Sequence, residues 1–160
     1  MGQAISTEWR IALFTVAPFV FDRSWEFSVP PEKLWAALAD TQSFTRWWPW
    51  LRSFDPVPLE PGATTHCTIG PPLPYVLRAQ VTIVAVEHGA YLDTEVSGDV
   101  RGPARLEVQR ATEGSSARLA WTLAVERPLL RRVAAVARPM LQWGHDWVVD
   151  RGVDQFRAQL

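Results

Sequence analysis

Apolar and polar positions alternate with a period of two through the middle of the chain, and near residue 128 the period lengthens to that of a helix. From Phe19 to Val29, β-branched and aromatic residues predict a first strand, with Phe21, Arg23, Trp25 and Phe27 on one face. Pro30-Pro31 ends it, and Pro31 suits the first turn of a helix, where its missing N–H costs nothing. Leu34, Trp35 and Leu38 give that helix its apolar stripe to about Asp40. A second short helix, about Thr41 to Trp48, buries Phe44, Trp47 and Trp48 before Pro49 limits it.

Strands follow. Residues 53 to 58 form a short one, Leu59-Glu60-Pro61-Gly62 a turn, and 64 to 69 alternate His66 and Thr68 against Cys67 and Ile69. Gly70-Pro71-Pro72-Leu73-Pro74 holds too many prolines for a strand and predicts a flap. Residues 75 to 86 carry Leu77, Ala79, Val81, Ile83 and Ala85 on one face and Arg78, Gln80 and Thr82 on the other. Strands at 91 to 97, 100 to 110 and 116 to 125 complete the set. In the last of these Leu119, Trp121, Leu123 and Val125 oppose Arg118, Thr122 and Ala124. Adjacent, hairpin-linked, half-polar strands predict an antiparallel sheet with one wet face.

From Pro128 to Leu160 the chain predicts one helix, which at 1.5 Å per residue reaches roughly 45 Å. Val133, Val136, Ala137, Met140, Gly144, Trp147 and Val148 fall on one arc, and Arg151 continues it, turned inward or snorkelling to the rim. Pro139 predicts a kink or a break. A rod this long exceeds what a flat sheet needs. A sheet curled around it leaves a hollow, and hollows take ligands. The fold class is therefore α+β: a curved antiparallel sheet of about six to seven strands wrapped around a long C-terminal helix, with two short helices after the first strand.

The order of elements and four segments carry a resemblance. Val29-Pro30-Pro31-Glu32-Lys33-Leu34-Trp35, Trp47-Trp48-Pro49-Trp50, the pair Leu59-Glu60-Pro61-Gly62 and Gly98-Asp99-Val100-Arg101-Gly102, and Trp143-Gly144-His145-Asp146-Trp147-Val148-Val149 all contribute. Over about residues 19 to 160 the chain resembles the START-like superfamily of helix-grip proteins, in the polyketide cyclase/dehydrase and lipid transport (SRPBCC) branch. The resemblance implies an apolar cavity between sheet and helix. Its members include polyketide aromatase/cyclases, lipid or sterol carriers, quinone-binding chaperones and hormone receptors. It implies no fixed catalytic motif, and fold does not dictate function.

Composition narrows the field. With 160 residues the chain makes one domain, read as 18 to 160 behind an extension at 1 to 17. Sixteen basic against seventeen acidic residues sum to −1, which offers no footprint for nucleic acid or an anionic membrane. Met1-Gly2-Gln3-Ala4-Ile5-Ser6 fits the myristoylation pattern formally, read as coincidence. The apolar run Ile11 to Phe21 is interrupted by Pro18 and lacks a small-residue cleavage site, and no run is long enough to span a bilayer. Cys67 stands alone, which fits a reducing cytoplasm, and the near-exclusive use of Arg over Lys33 points to a bacterial source.

Neither a phosphate loop, a nucleophile elbow, paired metal histidines nor a CxxC is present, so no cofactor or metal is expected. Asp93 and Glu95 share a face with Tyr91 opposite Leu92, Thr94 and Val96, and read as wet surface, as do Arg105 and Glu107. His88 reads as a solvated turn residue. Nine Trp residues either pack on one another or sandwich a planar ligand. The ligand-binding candidates are Trp48, Trp121 and Trp147 among the rings, Tyr75 beside the flap, and Met140 and Gly144 on the helix arc. His66, His145 and Arg151 are the candidates for polar anchors. His66 has no fixed register, and His145 either bonds to the sheet or looks into the cavity. The leading expectation is a module that encloses a lipid, polyketide, quinone or aromatic metabolite. The alternative is a cyclase or aromatase using a cavity His or carboxylate as acid and base.

Overall fold

The computed structural model describes residues 17–160, so the extension expected at 1 to 17, its formal acylation pattern and most of its apolar run lie outside the described residues. Seven strands form one sheet: β1 (Phe19–Phe27), β2 (Leu51–Phe54), β3 (Thr64–Ile69), β4 (Leu77–Glu87), β5 (Tyr91–Gly98), β6 (Val100–Ala111) and β7 (Gly114–Val125). Their order is β1-β7-β6-β5-β4-β3-β2, and every pair is antiparallel. Between β1 and β2 lie α1 (Pro31–Ala39), a 3-10 turn at Thr41–Ser43 and α2 (Phe44–Trp47). The chain closes with α3 (Pro128–Arg157), of 30 residues. The expected α+β helix-grip, seven strands around a terminal rod, is the observed architecture.

Three local expectations are corrected. The strand expected at 53 to 58 begins earlier and ends at Phe54. The clean alternation expected along β4 is interrupted by a bulge between Ile83 and Ala85. The extra residue, Val84, is exposed, and the slip turns Ala85 to the outer side with its partner Asp93 while Val86 packs into the core. The third concerns the buried face of α3. The helix breaks, as Pro139 predicts, at Ala137 (φ −129°, ψ 39°), two residues ahead of the proline, whose ring excludes a regular turn before it. Its buried face is Leu130, Ala134, Leu141, Gly144, Val149, Gly152 and Phe156, one position round from the arc read from sequence. That arc followed hydrophobic spacing alone, whereas the buried stripe turns Gly144 to Leu73 and Tyr75 and Gly152 to Trp48 and Trp50.

The space between sheet and α3 is filled unevenly. At one end Phe27, Leu34, Trp35, Val108, Ala117 and Phe156 pack into a continuous core, with Phe156 edge-on to Phe27 at 5.8 Å between ring centres. Buried Ser115 ties this end together by donating to the Val29 carbonyl at 2.7 Å. Alongside, Trp48 and Trp50 stack at 5.5 Å and anchor the helix: Trp48 Nε1 donates to the Gly152 carbonyl (2.9 Å) and Trp50 Nε1 to Gln155 Oε1 (3.0 Å). The other end is hollow.

On the convex face an alternating row of charges, Asp22, Arg118, Glu107, Arg105 and Asp93, crosses β1, β7, β6 and β5. Asp93 and Glu107 thus lie on the solvent side, as the alternation predicts. Exposed pairs of this kind add little stability.

Candidate functional site: an apolar cavity under the flap

A void of about 320 Å³ lies between α3 and the concave face of β3 to β7, at the end where β1 begins and β7 ends. Successive residues of a strand point to opposite faces, so the inward set of each strand supplies the wall. From β7 come Leu119, Trp121, Leu123 and Val125, and from β4 Leu77, Ala79 and Val81. These are the faces that the alternation assigns to the interior. β3 contributes Cys67 and Ile69, β5 Thr94 and Val96, β6 Val100 and Ala104, and α3 Leu130, Leu141, Gly144, His145, Val148 and Val149.

The flap (residues 70–76) closes one side through Pro71 and Tyr75. It rests on α3 at Gly144. A Cβ built on that glycine would stand 2.7 Å from the Tyr75 hydroxyl and 2.8 Å from Leu73 Cδ1, so only a residue without a side chain lets the flap settle there.

Of the nine candidate residues, four meet around this void: Tyr75, Trp121, Gly144 and His145. The other five do not. Trp48 is engaged with Gly152 at the filled end. His66 points outward, 3.8 Å from Asp55, because Cys67 and its partner Ala79 occupy the inward register. The rotation of α3 removes Met140 and Arg151, both exposed, and leaves Trp147 half-buried outside the wall. Sequence reasoning also passed over Leu141 and Val149 for that reason. It passed over Cys67, Ala79, Val96 and Ala104 because no chemical signal marks small apolar residues; their strand parity was the only available cue.

The wall holds few polar groups, and two of them lack partners among the described residues. Trp121 Nε1 and His145 Nε2 are buried with no hydrogen bond to any of these residues. Trp121 stacks on Phe21 at 4.5 Å, and the His145 ring stands edge-on to both, at 5.2 and 5.0 Å. His145 Nδ1 lies 3.0 Å from Asp146 Oδ1. That hydrogen bond, more than any other influence, holds the Asp146 carboxyl below its usual range, so it is ionised at neutral pH. A carboxylate only accepts, so Nδ1 carries the proton, and in that tautomer Nε2 is an acceptor. Each unpartnered buried group costs about 1–3 kcal/mol.

Burial also pushes the Cys67 thiol and the Tyr75 phenol up from their ordinary values, so both keep their protons at neutral pH. Among the described residues no carboxylate lines the wall. Among the described residues, no group of three or more His, Cys, Asp or Glu converges to hold a metal.

Solved structures share this architecture. A protein of Thermus thermophilus (TTHA0849) is 14% identical, with a TM-score of 0.68 over 88% of this chain and 94% of its own. Ms6760 of Mycobacterium smegmatis is 14% identical, with a TM-score of 0.67 over 91% and 96%. A Rhodobacter sphaeroides protein is 16% identical, with a TM-score of 0.61 over 89% and 91%. At these identities the likeness is one of fold. No curated protein matches the chain. The family model described as polyketide cyclase / dehydrase and lipid transport matches residues 18–160, and the chain belongs to that family.

Proposed function

We propose that this domain binds one small, largely apolar molecule bearing a single polar group, held between sheet and helix and covered by the flap. The observation that carries this reading is the void of about 320 Å³ with an aliphatic and aromatic wall. Its volume falls at the lower end of the roughly 300–1,000 Å³ usual for small-molecule sites. An apolar cavity of about 150 Å³ stays dry and takes up benzene, so a void twice as large suits a bicyclic ring system or a short folded chain. Burial of apolar surface supplies the affinity. The unpartnered Trp121 N–H, a donor, and the His145 Nε2, an acceptor, favour a ligand hydroxyl or carbonyl over a pure hydrocarbon.

Binding without turnover is favoured over cyclisation. Acid–base catalysis needs two groups that exchange protons near one point. Among the described residues His145 is the one wall residue suited to it, since burial locks the protons of Tyr75 and Cys67.

Cys67, the chain's single cysteine, lies in the wall and reports occupancy. Alkylation by iodoacetamide should be slow in the free protein and slower still with 1-naphthol present. 1-Naphthol should protect better than 1-methylnaphthalene, and native mass spectrometry of the purified protein should show a retained small mass. Equal alkylation rates with and without either probe, together with an unliganded mass, would defeat the proposal. Better protection by 1-methylnaphthalene would remove the role given to the two nitrogens.

A further inference from the structure

We infer that the flap end of the molecule is a docking surface for an anionic lipid bilayer, engaged peripherally by the first half of α3. Two residues of the arc that the sequence offered as the helix's inner face, Val136 and Met140, are turned outward there. Leu129, Val136, Met140 and Trp143 are 58%, 89%, 37% and 52% exposed; Leu129 and Val136 share a side of the segment before the break at Ala137, and Met140 and Trp143 share a side of the segment after it. Large apolar residues scattered singly over a surface need no explanation, but a row of four in the first half of one helix does.

The charge around this row points to the partner. Arg52 lies against Gly70 at the base of the flap. Arg78 opens β4, Arg101 stands at the start of β6 opposite Ala124 at the end of β7, and Arg127, Arg131 and Arg132 begin α3. Arg138 follows on α3, beside Phe19. Among the described residues three carboxylates share this end, and all are engaged: Asp99 with Arg127 and the Arg78 backbone N–H, Glu126 with Arg131, and Asp146 with Gln142 and His145. Seven arginines against three acids leave a local excess of four positive charges on a chain whose sum is −1. The total therefore conceals a segregation. A helix that exposes Leu129, Val136, Met140 and Trp143 with Arg131 and Arg132 beside them has the composition of one that lies in a bilayer interface. A nucleic acid would use the arginines but leave the apolar row in water, and a neutral protein surface would waste the charge.

Among the described residues no helix is long and apolar enough to cross a membrane, so the contact is one of lying on the surface. It stands whether or not the cavity holds a guest, and its test needs none.

The full chain is sedimented with sucrose-loaded vesicles of phosphatidylcholine alone, or of phosphatidylcholine with one part in three of phosphatidylglycerol. Binding is expected to the anionic vesicles, weakening as salt is raised. Arg132→Glu and Arg101→Glu should each lower the partition coefficient at least about fivefold, and Trp143→Ser about tenfold. Arg110→Glu, the same charge change at the opposite end, should leave it within about twofold. All four positions are accessible, and unchanged thermal midpoints confirm that the variants fold. The inference is overturned if neutral vesicles bind equally well, or if Arg110→Glu is as damaging as Arg132→Glu. It is equally overturned if vesicles fail to bind while light scattering shows a dimer that Trp143→Ser dissolves, or if the chain prefers duplex RNA over the anionic vesicles.

Discussion

Replacing Gly144 by alanine separates the stability of the helix from the closure of the cavity. In a helix interior, Gly→Ala stabilises by about 1 kcal/mol, because the more restricted residue loses less freedom on folding. Against this, the new methyl would sit 2.7 Å from the Tyr75 hydroxyl and 2.8 Å from Leu73 Cδ1. Both are far ends of flexible side chains on a loop, so they yield before the helix does. Losing some five to ten carbon contacts at about 0.1–0.2 kcal/mol each costs about 1 kcal/mol. The two effects nearly cancel, and the thermal midpoint should move by no more than about 4 °C. Access to the cavity should change far more. With the flap lifted, Cys67 should alkylate several-fold faster than in the native protein, and 1-naphthol should protect it less. Paired unfolding curves and iodoacetamide kinetics on the two proteins decide the matter. A loss of more than about 2 kcal/mol with Cys67 reactivity unchanged would show that the flap is rigid and that closure does not depend on this contact.

Three further outcomes follow from the same packing. Ala104→Leu places three more carbons in the void; at about 0.8 kcal/mol per buried methylene, less up to 1 kcal/mol of side-chain entropy, it should raise stability by about 1 kcal/mol while abolishing 1-naphthol protection. Phe156→Ala, at the filled end, should cost about 3–5 kcal/mol and lower the midpoint by about 10 °C, whereas Leu123→Ala in the cavity wall should cost about 2 kcal/mol or less, because one side of that leucine already faces empty space. Asp146→Asn should destabilise at neutral pH and not in strong acid: the folded carboxyl lies below its unfolded value of 3.8, so its contribution is present above that value and is lost as pH falls through the folded one. Urea unfolding of both proteins between pH 2 and 7 checks this, and a difference that persists at the acid end would remove the His145–Asp146 contact as its cause.

The architecture was legible because it rests on strand parity and helix length, which the sequence displays directly. The inward faces of β4 and β7 followed from alternation alone, up to the bulge at Val84, which nothing in a run of Ile83-Val84-Ala85-Val86 announces. The site was less legible for two physical reasons. On α3 the apolar residues outnumber the positions the sheet can cover, so hydrophobic spacing alone did not pick out the buried arc. The covered stripe instead runs through Ala134, Gly144 and Gly152, and the two glycines turn to Leu73, Tyr75, Trp48 and Trp50. Rings were also weighed as pocket lining, yet Trp48 and Trp50 serve as anchors whose N–H groups fix the helix to the filled end. What lines the void is mostly aliphatic and small, and such residues carry no signature beyond their register.

The contrast between the two ends of the domain bears on why the void persists. Phe27, Trp35 and Phe156 show that this sheet and helix can be joined by a solid core of large rings. At the other end the facing positions hold Cys67, Ala79, Ala104 and Gly144, each too short to reach across. The strands keep their shape without that contact, since every one is hydrogen-bonded to a neighbour. A lining without partner atoms forfeits dispersion energy, and larger side chains at Ala79 or Ala104 would recover some of it. The hollow is therefore a departure from the packing that stability alone would favour. It is framed by the flap that rests on Gly144 and bordered by a helix face left apolar in water. Each of these features costs the isolated chain free energy, and on the proposed function and the inferred docking surface each is offset when a guest fills the space and a bilayer covers the helix.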